Sequence, residues 1–136
     1  VLLIGDKVVD PRRGSFAYEV DLGGAWRQHT GLPFVFAVWA APGGLNAADA
    51  RTLFELLGAA RDCGVARADR IAAEDGPSLG WPVESARRYL TRCLHYTLDA
   101  RAAEGATLFA HLCGKYGLAA TDAAIAWPGA LQEVAE

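Results

Sequence analysis

The spacing of apolar residues changes partway along this chain. Before residue 42 they come in short blocks or alternate with polar positions; after Asn46 they recur at intervals of three and four. Val1 to Ile4 is a β-branched and aliphatic run ending at Gly5-Asp6, the pattern of a buried parallel strand whose C-terminal end reaches a cleft. Asp10-Pro11-Arg12-Arg13-Gly14 reads as a turn. Phe16, Tyr18 and Val20 alternate with Ala17 and Glu19, which predicts a short strand with one exposed face. Asp21 is placed to cap a short helix on which Leu22 and Trp26 share a face, with Gly31 as its stop. Leu32 to Ala41 is apolar on both faces and predicts a strand buried on either side, broken by Pro42-Gly43-Gly44.

Beyond that breaker the pattern is helical. Asn46 or Asp49 starts a helix on which Ala50, Leu53, Phe54 and Leu57 form a one-sided stripe. Cys63-Gly64 is expected to interrupt it, leaving a second piece over Val65 to Glu74. Gly76-Pro77-Ser78 and Gly80-Trp81-Pro82 punctuate a loop, and a helix is predicted over 82–97. Asp99 caps another over 100–116, lined by Leu108, Phe109, Leu112 and Tyr116 and ended by Gly117. Two or three strands cannot cover so much helical apolar surface as a solitary domain. The expectation is an α/β portion of a larger two-lobed molecule. Residues 1–31 would supply strand, turn and helix of one lobe, 32–41 a crossover strand, and 42–136 a mainly helical C-terminal part. The lack of any Met and the hydrophobic start agree with a C-terminal half whose N-terminal half lies upstream.

Composition narrows the function classes. With 136 residues and 52% hydrophobic positions the chain has the material for a substantial core. A net charge of −3 supplies no broad basic field, which argues against nucleic acid and anionic membrane surfaces as partners. No apolar run reaches the roughly 18 residues of a membrane span, the longest being Leu32 to Pro42. Cys63, Cys93 and Cys113 are odd in number and far apart, so neither a disulfide framework nor a metal knuckle is predicted, and the reading is of reduced thiols in a cytoplasmic protein. His29, His95 and His111 have no mutual spacing suited to a metal site.

Leu3-Ile4-Gly5-Asp6, Asp21-Leu22-Gly23 with Trp26, and Thr30-Gly31-Leu32-Pro33-Phe34-Val35-Phe36-Ala37-Val38-Trp39 come in an order that resembles the chorismate dehydratases of menaquinone biosynthesis by the futalosine pathway. The likeness runs from Val1 to about Phe109, and family members resemble type II periplasmic binding proteins in fold. What the resemblance implies is a cytoplasmic hydro-lyase that removes water from chorismate to leave 3-(1-carboxyvinyloxy)benzoate, with neither metal nor redox cofactor. A sister family, the dihydroxynaphthoate synthases, resembles this one but places His-Glu where this chain has Gly5-Asp6, which favours the dehydratase. A non-catalytic small-anion binding protein is the alternative outside enzymology.

Under that resemblance Asp6 is the candidate acid/base or hydroxyl-orienting group, set against a role in capping its turn, with the main base expected in the N-terminal half upstream. Gly5, lacking a side chain, leaves room for a ring. Phe34 and Phe36 share one strand face and, next to Pro33, either wall the apolar sides of the substrate ring or are simply core, while Trp39 on the other face packs into a core. Thr30 either offers its hydroxyl to a carboxylate or ends a helix. The cations nearest in sequence are Lys7, Arg12, Arg13 and Arg27, each also suited to a solvated surface.

Overall fold

A computed structural model of the chain describes residues 1–8, 10, 14–41, 45–120 and 125–127, without the side chain of Asp6. The expected turn at 11–13 and the Pro42-Gly43-Gly44 breaker lie outside the described residues. The described residues hold five α-helices, a short 3-10 turn at Gly5–Val8 and another at Pro77–Leu79, and no β-strand.

The α/β expectation is therefore corrected, and with it the periplasmic-binding-protein-like fold. Val1–Ile4, Phe16–Val20 and Leu32–Ala41 have strand-like composition but make no ladder among the described residues. A strand exists only through the hydrogen bonds of a partner, which composition cannot supply. Val1, Leu2 and Ile4 are exposed instead of buried.

Helix termini follow local chemistry closely. The first helix, α1 (Leu22–Thr30), begins at Asp21, whose carboxylate accepts from the Gly23 N–H at 3.0 Å, and ends at Gly31 in the left-handed conformation with φ 75°. Helix α2 (Ala47–Ala66) begins at Asn46, whose side chain accepts from the Asp49 N–H at 2.9 Å. It runs unbroken through Cys63-Gly64, where an interruption was expected, because one glycine costs a helix interior only about 1 kcal/mol. Leu53, Phe54 and Leu56 of α2 are exposed. Helix α3 (Ala68–Glu74) follows at once, and α4 (Val83–Arg88) is far shorter than the 82–97 expected, passing into a π-helical turn at Tyr89–Cys93. Helix α5 (Ala100–Lys115) starts at Asp99, whose carboxylate accepts from the Ala102 N–H at 2.8 Å.

The chain forms two compact units, Val1–Ala17 with Ala40–Tyr96 and Tyr18–Trp39 with Thr97–Glu136. In the first, α3 meets α4 through small residues, with Ala68, Ala72 and Ala86 buried. A Cβ on Gly76 would come within 2.5 Å of the Ala72 carbonyl and 3.2 Å of the Ala86 Cβ, which shows how close the backbones run. Arg87 of α4 reaches Asp69 of α3 at 2.8 Å and also pairs with Glu84; the hydrogen bond to Glu84, then that to Asp69, hold its pKa above the usual value.

In the second unit, Leu32 is buried against α5. Gly105 makes this possible, since a Cβ there would collide with the Pro33 carbonyl oxygen and touch the Leu32 Cβ at 3.4 Å. The apolar segment after α1 thus finds its partner in a helix surface. Its first two residues need no sheet partner for their N–H groups, because Pro33 has none to place and the Leu32 N–H donates to the Thr30 hydroxyl at 3.1 Å.

Candidate functional site

The segment after α1 and the middle of α5 together make an aromatic cluster. Phe34 is its centre, meeting Trp26 of α1 at 5.8 Å between centroids, Phe109 of α5 at 5.0 Å and Phe36 at 4.9 Å, each ring edge toward face. Trp26 also meets Phe109 edge-on at 5.6 Å. These are the geometries in which positive ring edges face negative ring faces, worth about 0.5–1.5 kcal/mol per pair beyond the area buried. The spacing of Phe34 and Phe36 explains their contact, since residues two apart on an extended chain share a side. The indole N–H of Trp26 is enclosed within this cluster and meets no acceptor among the described residues.

Against the cluster lies an apolar cleft of about 190 Å³, lined by Phe34 to Val38 from the segment, Ala106, Phe109 and Ala110 from α5, and Ile125 and Trp127 from the tail. Phe36 stands 75% exposed at this wall. The Phe36 ring lies close over Gly23, where a Cβ would approach its Cζ at 2.9 Å. Trp127 also lines the cleft and is itself only 7% exposed. Its indole N–H donates to the Thr107 hydroxyl at 3.0 Å, and that hydroxyl donates to the Ala103 carbonyl at 2.9 Å.

Arg101 supplies a cation on the same unit. Its guanidinium donates to the Gly31 carbonyl at 2.7 Å, where α1 leaves its last backbone acceptors. Positions 101, 105 and 109 lie four apart, so Arg101 shares the face of α5 that carries Gly105 and Phe109, roughly 12 Å along the axis from the latter. The guanidinium has five N–H donors in a fork matched to carboxylates.

The residues proposed from sequence are thus distributed between the units. Pro33, Phe34 and Phe36 come together at the cleft wall or against α5. Thr30 sits at the end of α1, where its hydroxyl donates to the Trp26 carbonyl at 2.9 Å and accepts from Leu32. Gly5, at φ 68°, opens the Gly5–Val8 turn of the other unit together with Asp6. Lys7 lies in that same turn, Arg27 is exposed on α1, and Arg12 and Arg13 lie outside the described residues. Trp39 is corrected outright: it is 84% exposed and packs into no core in the structure.

Three participants escaped the sequence reading. Phe109 was visible only as one apolar position on a helix stripe. Arg101 offered no signal, because its partner carbonyl is distant in sequence. Trp127 stood in an Ala-rich tail with no period to assign it. The described residues contain no cluster of His, Cys, Asp and Glu that could hold a metal ion, and no helix long and apolar enough to cross a membrane.

Compared with known proteins, residues 1–115 match a family model described as menaquinone biosynthesis. No solved structure matches the chain.

Proposed function

The chain belongs to the menaquinone-biosynthesis family, and from that membership we propose that it is a hydro-lyase converting chorismate to 3-(1-carboxyvinyloxy)benzoate and water. The observation that carries the reading is a small apolar cleft, walled by aromatic edges, in a chain of that family. About 190 Å³ falls below the roughly 300–1,000 Å³ of pockets for drug-sized ligands, so the cleft suits a single six-membered ring.

The reaction needs little from the protein. A base takes the proton from the ring carbon that carries the enolpyruvyl ether. The electron pair of that C–H bond becomes the third ring double bond, and the C–O bond to the neighbouring hydroxyl breaks. The hydroxyl leaves with one proton as water. Aromatisation drives the step, and the ring flattens as it proceeds. Rigid aromatic walls fit a flat ring better than a puckered one, so they favour the transition state over the substrate. Arg101, on the unit that carries the cleft, is assigned one of the two carboxylates; for Asp6 the acid/base or hydroxyl-orienting role rests on the family resemblance alone.

Incubating the purified protein with chorismate is expected to consume it and give a product lighter by one water, followed by mass spectrometry. Chorismate bound without turnover would replace the lyase with an anion-binding protein. Arg101→Ala is expected to raise KM for chorismate about ten- to a hundredfold, the scale of a lost charge-assisted hydrogen bond, with a smaller change in kcat. An unchanged KM removes Arg101 from the site.

A further inference from the structure

The family match ends at residue 115, yet the cleft does not. Ile125 and Trp127 line it from beyond the matched stretch, so part of the candidate site comes from sequence outside the matched residues. Trp127 is no casual neighbour. It is the buried tryptophan of its unit, and its one polar atom is spent on Thr107, a residue one turn before Ala110 and half a turn before Phe109 on the helix that also lines the cleft. A donor fixed at 3.0 Å, on a hydroxyl itself fixed at 2.9 Å to Ala103, locks the indole plane in position and in angle.

We propose that Trp127, held by Thr107, is the residue that sets the size of ring the cleft accepts, and that it admits one six-membered aromatic or cyclohexadienoid carboxylic acid while excluding two fused rings. This assignment rests on the reading of the cleft as a ring site and adds to it the residue that makes the selection. The physical basis is that an indole pinned at one edge cannot swing aside to enlarge the space, whereas an unpinned aromatic side chain turns about two bonds. Apolar walls discriminate ligands by volume in this way, and the discrimination survives only while the wall is rigid.

The test uses the whole chain with benzoate and 2-naphthoate as probes. The four tryptophans give four indole N–H signals in a proton–nitrogen correlation spectrum, and Trp127→Phe identifies the signal of Trp127 by its loss. Benzoate is expected to move that signal and to bind more tightly than 2-naphthoate. Trp127→Ala is expected to shift the ratio of the two affinities toward 2-naphthoate by roughly tenfold, the low end of what a hydrophobic pocket discriminates. Thr107→Val keeps the indole but removes its anchor, and is expected to shift the ratio the same way by a smaller factor. It also serves if Trp127→Ala fails to fold. A ratio unmoved by these variants, or a Trp127 signal that neither acid disturbs, overturns the proposal. Turnover of chorismate is scored separately: loss of the lyase reading with ring selection intact leaves the Trp127 assignment standing, and the reverse result removes it alone.

Discussion

If the role that the family resemblance gives Asp6 holds, Asp6→Asn is expected to lower kcat for chorismate by about a hundredfold and to leave KM within a small factor. The substitution keeps the size and planarity of the side chain but removes its capacity to hold a proton at an oxygen, which is what general acid–base help requires; such help is worth about 10²–10⁴ in rate. The position favours the experiment. Asp6 follows Gly5, whose φ of 68° turns the chain at the start of the Gly5–Val8 turn. A thermal midpoint equal to the parent's shows that the amide leaves the turn intact. Steady-state kinetics with a melting curve on the same sample decide it. Unchanged turnover removes Asp6 from the chemistry, and a fall in KM-based binding alone would recast it as a substrate contact.

The second large effect is on stability. Gly105→Ala in α5 is expected to destabilise the protein by about 1–3 kcal/mol, the usual range for overpacking, read as a lower urea midpoint. Helix propensity predicts the opposite sign, since alanine in a helix interior gains about 1 kcal/mol over glycine. The structure decides between them. A Cβ at position 105 meets the Pro33 carbonyl oxygen, a backbone atom with no rotamer to escape into, and the Leu32 Cβ at 3.4 Å behind it. Gly58→Ala in α2 is the matched control, because nothing lies within 4 Å of its Cβ position. It should raise stability by about 0.5–1 kcal/mol. If both substitutions stabilise, the packing of the Pro33 segment against α5 is wrong. Because Phe34 and Phe36 follow Pro33 directly, Gly105→Ala should also weaken binding of a ring at the cleft.

How much of this was legible beforehand depends on the range of the interactions concerned. Asp21, Asn46 and Asp99 were recognisable as caps because an N-cap bonds to an N–H two or three residues away. Gly31 as a stop and α5 as a helix are equally local, and the side shared by Phe34 and Phe36 follows from period two. Strand pairing is not local. Leu32–Ala41 carries every compositional mark of a strand, but its partner is a helix with a glycine at the contact, and nothing within the segment specifies that. The same holds for the cleft, whose walls at Phe109 and Trp127 lie about 75 and 90 residues from Phe34 in the chain. Cys63-Gly64 misled in a different way: glycine weakens a helix without ending it. The early end of α4 has a local cause that the apolar period hid, because a π-turn keeps the residues helical while shifting their faces.

That wide turn has a consequence for how the chain tolerates change in length. Tyr89–Cys93 is what a regular helix becomes when it absorbs one surplus residue, and the phenol of Tyr96 fastens the loosened stretch by donating to the Leu90 carbonyl at 3.2 Å. A one-residue deletion at Thr91 would restore ordinary winding without moving Ala86 from its seat on α3. A one-residue deletion within 83–85, ahead of Ala86, would rotate that alanine off its neighbour. Natural relatives that differ by a single-residue gap should carry it here.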